Sequence, residues 1–252
     1  MAGRRYGQNT QAFKTGRQLT TVFTTSKNII LLPHRPTDPV MNEKQKFIQS
    51  LIFPTYFLLL IWLVKIVERI LDLNLVYLGL YPLKWSGLIG ILTAPLIHSD
   101  YKHLFDNSVP VFLLTLAIFY FYKQAALRVF IYTWLITGIA VWVGGRSAYH
   151  IGASGLIYGF ASFLFISGII RKNINLLAIS LLVVFLYGGL VWGLFPFDYK
   201  ISWESHLFGA LTGIGLALIF KNYGPPPSVP MADEEEDEEE KRGQETGENL
   251  QE

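Results

Sequence analysis

What most limits the folding of this chain is the recurrence of apolar runs long enough to cross a lipid bilayer. Crossing takes about 20 mostly apolar helical residues. Residues 47–64, 104–122, 126–143, 154–170, 174–194 and 206–220 meet or approach that length. The last is the shortest, so part of it is expected to be buried among the others. Pro54 falls inside the first run, which packed neighbours tolerate in a membrane helix. No repeat period stands out. A composition that is 51% hydrophobic and 15% aromatic fits neither a disordered chain nor an ordinary soluble domain. The expected fold class is therefore all-α: a polytopic membrane protein with a six-helix bundle at 47–221. The absence of cysteine excludes disulfides, thiolate metal sites and a cysteine nucleophile.

The flanks differ in charge. Residues 1–46 are polar and basic, with no apolar core of signal-peptide type. Arg4, Arg5, Lys14 and Arg17 would suit a transit peptide, but a basic cytoplasmic arm is the simpler reading. Residues 222–252 open with "NYGPPPSVP", which stops the last helix, and continue into a tail holding 11 of the 19 acidic residues. Such a tail has nothing to bury and is expected to be disordered. Six spans put both termini on one side. With the N-terminus in the cytoplasm, 15 Lys and Arg lie inside and 6 outside, as the positive-inside rule requires. An integral plasma-membrane protein, by default of a bacterial inner membrane, is expected.

The polar residues inside the apolar runs then share a level. The second, fourth and sixth runs all pass from outside to inside. Asn107 precedes Lys123 by 16 residues, Ser154 precedes Arg171 by 17, and His206 precedes Lys221 by 15. At 1.5 Å per helical residue these are depths of ~24, ~26 and ~23 Å from the inner charges. In a hydrocarbon core of about 30 Å, all three lie just below the outer surface. His103, one turn above Asn107, comes to the rim.

A serine, an imidazole and an amide at one depth suggest acyl-transfer chemistry. Serine needs a base to take its proton, and histidine serves near neutral pH. The tetrahedral intermediate needs donors aimed at its oxyanion, which Asn107, His103 and the Ser154 N–H could provide. Ser154 opens a helix, where the dipole and free N–H groups favour negative charge. Gly152 and Gly155 in "HIGASGLIYG" let backbone or substrate approach. Each residue also has a plainer reading. A membrane serine usually packs, an asparagine glues helices, and a histidine is a structural partner. Gly155 and Gly159, and Gly209 and Gly213, read as helix-packing pairs. Tyr158 by itself reads as core, and G-A-S-G lacks the G-x-S-x-G spacing of a soluble hydrolase elbow.

These residues resemble the rhomboid family of intramembrane serine proteases. "HSDYKHLFDN" looks like its second-helix H-x-x-x-N, "GASGLIYG" its G-x-S-G, and "SHLFGALTG" its sixth-helix histidine followed by spaced glycines. The resemblance covers roughly 47–221. It implies a Ser154–His206 dyad without a catalytic acid. It also implies oxyanion contacts from His103 and Asn107, and Tyr158 packed on the His206 ring. Gly152, Gly155, Gly209 and Gly213 support that site. The implied activity is endoproteolysis of transmembrane protein substrates near their outer ends, in the lipid bilayer, with no cofactor, no metal and no nucleic acid. A gate formed by the fifth helix and the loop after it is implied too, with Phe197 by position part of its cap. The sequence departs from the family at Ile89-Gly90, at Asp106, read as solvated or paired with a loop cation, and at Ser205. Two other readings stay open. One is a metal-dependent membrane hydrolase using His98, His103, His150 and His206, although His98 and His150 read more simply as interfacial loop residues. The other is a non-catalytic scaffold or transporter.

Overall fold

The computed structural model describes residues 42–186, 193–196 and 201–228, together with the backbone of four short strands before them. Phe197, the end of the fifth apolar run, most of the basic arm and the acidic tail lie outside the described residues.

The chain forms two units, Met1–Glu43 and Lys44–Glu252. In the first, β1 (Ala12–Thr15) pairs antiparallel with β2 (Gln18–Thr21), and β3 (Thr24–Thr25) with β4 (Asn28–Ile29). These stretches are rich in threonine, whose branched Cβ favours extended backbone. The reading of this region as a polar arm passed over them.

The second unit is helical. Its long helices are α1 (Glu43–Ile70), α2 (Tyr101–Phe121), α3 (Ala126–Gly144), α4 (Ser154–Arg171), α5 (Ile174–Leu186) and α6 (Trp203–Ile219). Short helical turns fill the loop from α1 to α2, at Leu75–Leu78 and from Trp85 to Leu96. Among the described residues, α1 to α4 are long and apolar enough to cross a membrane, which makes the chain an integral membrane protein with a polytopic helical bundle. The described part of α5 has 13 residues and α6 has 17, both shorter than α1 to α4. At 28 residues, α1 is ~42 Å long, well over a hydrocarbon thickness. Lys65 and Arg69 accordingly stand on its last turns rather than in the loop that follows.

The bundle is built around α4. Phe160, Phe163 and Leu164 of this helix are fully buried, against Leu104, Leu114 and Ile118 of α2, Val129 of α3 and Leu216 of α6. The outer helices keep large apolar side chains on their surface, including Ile52, Tyr56, Leu59 and Leu63 of α1. That is the surface a helix presents to lipid, where only its backbone needs internal hydrogen bonds.

Two glycine pairs fix how α4 meets α6. A Cβ at Gly209 would overlap the carbonyl oxygen of Gly155, and one at Gly213 would overlap that of Gly159. The helices therefore touch backbone to backbone, the close approach that small residues four apart permit. Beyond the far end of α6, the Arg171 guanidinium donates to the carbonyls of Lys221, Gly224 and Pro225. The Ser228 hydroxyl accepts from the Ile174 N–H at the start of α5. This strap ties the segment after α6 to the turn between α4 and α5.

Candidate active site

Ser154 reaches its position through an unusual backbone. His150 forms an isolated antiparallel bridge with Leu80. The chain then turns into α4 through Gly152, whose φ of +100° strains any residue with a Cβ. The Gly152 N–H donates to the Ala94 carbonyl at 2.9 Å, which pins the turn to the α1–α2 loop. Ala153 is the N-cap, so Ser154 is the first residue of α4 and its N–H has no acceptor within the helix.

Opposite it, His206 lies in the first turns of α6 and is 7% exposed. Its Nε2 is 2.8 Å from Ser154 Oγ. Its Nδ1 is 2.8 Å from the Gly193 carbonyl oxygen. A carbonyl can only accept, so Nδ1 carries hydrogen. In the neutral ring Nε2 then holds the lone pair and receives the serine hydroxyl. The ring of Tyr158, one turn along α4 from Ser154, stacks on the imidazole with centroids 4.2 Å apart and planes inclined by 11°. The glycine contact between α4 and α6 is what lets side chains from the two helices meet at this range.

α2 supplies the third side. A Cβ added to Gly152 would come within 2.7 Å of His103 Cε1 and Nε2 and 3.9 Å of Asn107 Nδ2. The H-x-x-x-N face of α2 therefore borders the turn that delivers Ser154. Asn107 is buried and gives one amide hydrogen to the His103 carbonyl at 2.8 Å. Asp100 caps α2, accepting from the His103 N–H at 2.8 Å. Its other oxygen takes the Ser99 hydroxyl hydrogen at 2.8 Å. Those two donors hold the Asp100 carboxyl below its usual range, the His103 N–H more than the serine. With its hydrogen committed, Ser99 can only accept at His103 Nδ1, 3.2 Å away. The His103 Nε2, which faces Gly152, thus carries a hydrogen only in the imidazolium.

The start of α2 is fastened to α1 by charge. Lys65 Nζ donates to Glu68 Oε2 at 2.8 Å, to the His98 carbonyl at 2.9 Å and to the Ser99 carbonyl at 3.0 Å. Both ionic partners are buried. Sequence reasoning missed this pair because it treated Lys65 as a loop residue. Gly193 was missed for another reason: it acts through a backbone carbonyl, which leaves no mark on composition or motif.

The remaining histidines depart from expectation. His98 is 1% and His150 2% exposed, so neither is a surface residue at the interface. The His98 ring packs edge-on to that of His103, with centroids 5.0 Å apart. Burial first, and the neighbouring His103 second, push His98 down to about 3. Burial likewise lowers His150. Asp106, expected to be solvated or paired with a loop cation, is exposed and 2.6 Å from Lys102 Nζ on its own helix. Among the described residues no three His, Cys, Asp or Glu side chains gather as metal ligands would.

Comparison with known proteins identifies the family. Residues 85–223 match the Rhomboid domain family, over more than half of the 252 residues. An uncharacterized protein of Mycobacterium tuberculosis is 34% identical over 177 residues, 65% of this chain and 72% of its own length. An uncharacterized protein of Mycobacterium leprae is 33% identical over 177 residues, 65% of this chain and 68% of its own length.

Proposed function

Since this chain belongs to the rhomboid family, a family of intramembrane proteases, we propose that it is a serine endopeptidase that cuts transmembrane segments of membrane proteins, with Ser154 as nucleophile and His206 as base. The observation that carries the reading is the 2.8 Å contact from Ser154 Oγ to His206 Nε2, with the other ring nitrogen held by a carbonyl. The site would open toward the outer face of a plasma membrane, both termini in the cytoplasm, with α5 and α6 completing six spans.

In this mechanism a substrate helix unwinds near its end and offers a carbonyl to Ser154. His206 Nε2 takes the hydroxyl proton as Oγ attacks. The resulting imidazolium keeps its Nδ1–H on the Gly193 carbonyl and its face on Tyr158, which together do the orienting that an aspartate does in a triad. The oxyanion forms beside the Ser154 N–H and the Asn107 amide. His103 Nε2 can join these donors only when its ring is charged. His206 then protonates the leaving amine, and a water activated by the same imidazole hydrolyses the acyl-enzyme.

The test uses the full chain in proteoliposomes with a reporter transmembrane substrate and a fluorophosphonate probe. Wild type is expected to cleave and to take the label on Ser154. Ser154→Ala should do neither while keeping its melting temperature, and a chelator should change nothing. Cleavage that survives Ser154→Ala, or stops with the chelator, would overturn the reading. The second outcome would favour a metal-dependent hydrolase.

A further inference from the structure

His150 has no part in the mechanism above, yet it is buried at the junction of three elements. Its backbone N–H and carbonyl pair with Leu80 at 2.8 and 3.0 Å. Its ring points to the start of α6. Nε2 lies 3.1 Å from the Arg146 carbonyl oxygen, which can only accept, so Nε2 carries hydrogen. In the neutral ring Nδ1 is then an acceptor, and the Ser202 hydroxyl, 2.5 Å away, donates to it. With that hydrogen committed, Ser202 Oγ accepts from the Ser205 hydroxyl at 2.6 Å. The hydrogen bonds run one way, from Ser205 to Ser202 to His150 to the Arg146 carbonyl.

Both ends of this chain bear on the proposed dyad. Ser202 is the N-cap of α6, and Ser205 directly precedes His206. His150 stands four residues before Ser154, and the Ser205 carbonyl faces Gly155, where an added Cβ would come to 3.3 Å. Beside it, the Arg146 guanidinium pairs with Glu204 at 3.5 Å, and the Arg146 N–H donates to the same carboxylate at 3.3 Å. The loop that delivers the serine and the helix that delivers the histidine are thus latched together by side chains outside the dyad.

We propose that His150 is a positioning residue whose neutral form completes the latch that sets the Ser154–His206 separation, so that this separation answers to a proton on His150. The inference rests on the Ser154–His206 reading. A proton on Nδ1 turns the acceptor into a donor aimed at the Ser202 hydroxyl. Ser202 can then only accept from the ring, so its own hydrogen is turned out of that bond and the run of hydrogen bonds reverses at this point. The charged groups that bear on the ring are Arg146, on its own loop, which opposes the cation, and Glu204, on α6, which favours it. From the α1–α2 loop, the Leu80 backbone pairs with that of His150. Burial outweighs Glu204 and keeps the ring neutral near pH 7.

Three proteins in proteoliposomes decide the matter: wild type, His150→Asn and His150→Phe. They are followed by the rate of fluorophosphonate labelling and by kcat for the reporter substrate between pH 4.5 and 8. Asparagine keeps an acceptor for Ser202 but cannot titrate; phenylalanine keeps the bulk and loses the latch. His150→Phe is expected to lose roughly 10-fold in kcat with KM unchanged, the loss a sub-ångström misplacement of reacting groups produces. His150→Asn should stay within about 3-fold of wild type at pH 7.5. Its acid limb should fall with the slope of one proton where wild type falls with two. If His150→Phe does not fold, the His150→Asn profile alone decides. Wild-type labelling with an acid limb unchanged in His150→Asn overturns the inference and leaves the dyad standing. A wild-type protein that takes no label overturns both.

Discussion

The two walls of the site are built differently. Where α4 meets α6, the contact is backbone against backbone, through Gly155 and Gly159 on one helix and Gly209 and Gly213 on the other. Where α2 meets the Gly152 turn, the contact is polar and held from behind. Asp100 caps the helix, Ser99 orients His103, and the buried Lys65 clamps the carbonyls of residues 98 and 99. The first wall carries the proposed nucleophile and base, brought together by shape and adjusted by the His150 latch at its edge. The second carries the amide and imidazole proposed to face the developing charge, whose placement is fixed by hydrogen bonds and one ion pair. Shape tolerates little displacement and is indifferent to pH, whereas a hydrogen-bonded wall yields in smaller steps and responds to protons.

The largest effect should therefore come from one methyl group in the glycine seam. Gly209→Ala has to push α4 and α6 apart, and an ~1 Å shift between reacting groups is worth about 10²-fold or more. Gly215→Ala, on the same helix, meets nothing within 4 Å and should leave cleavage unchanged. Equal rates in the two variants would break the contrast. Next comes Asn107→Ala on the polar wall. It removes one proposed oxyanion donor, with an expected kcat loss of ~10²-fold and little change in KM. A rise in KM alone would assign Asn107 to substrate binding. Third is the clamp. Lys65→Met strands the buried Glu68 carboxylate and should destabilise by about 3 kcal/mol or more. The double variant Lys65→Met/Glu68→Leu removes both charges and should regain stability, yet keep a roughly 10-fold deficit in kcat because α2 has lost its tether. Full recovery of both would make the pair a stability element only.

The same contrast explains how far the sequence could be read. Apolar runs gave the helices nearly residue by residue from α2 to α4, because lipid demands uninterrupted hydrophobicity. The pairs Gly155/Gly159 and Gly209/Gly213 were legible because close packing leaves a spaced signature of small residues. Ser154, His206, His103 and Asn107 could be picked out because polar side chains are rare at membrane depth, and the structure brings Ser154 to His206 and sets the α2 face against Gly152. The supports of the polar wall were not legible. Lys65 looks like any loop lysine until α1 proves 28 residues long. Glu68, Ser99 and Asp100 are ordinary residues whose roles depend on backbone carbonyls and N–H groups brought close only by folding. His98 and His150 were placed at the interface because nothing in a sequence distinguishes a buried loop from an exposed one.

The smallest expected effect concerns how stability follows pH at the polar wall. His98 lies against His103 and is pushed down to about 3 by burial. Unfolded, it would take up a proton near 6.5. Between those two values the unfolded chain binds the proton and the folded chain does not, so stability is full above pH 6.5 and falls as pH drops toward 3. His98→Leu removes that uptake. In detergent, wild type should lose a few degrees of melting temperature between pH 7 and pH 5, and His98→Leu measurably less. His150 titrates with the same sign in both proteins, so the difference between the two slopes isolates His98. Parallel slopes would mean that the ring beside His103 finds solvent in the folded protein, and the polar wall would then be wetter than its packing implies.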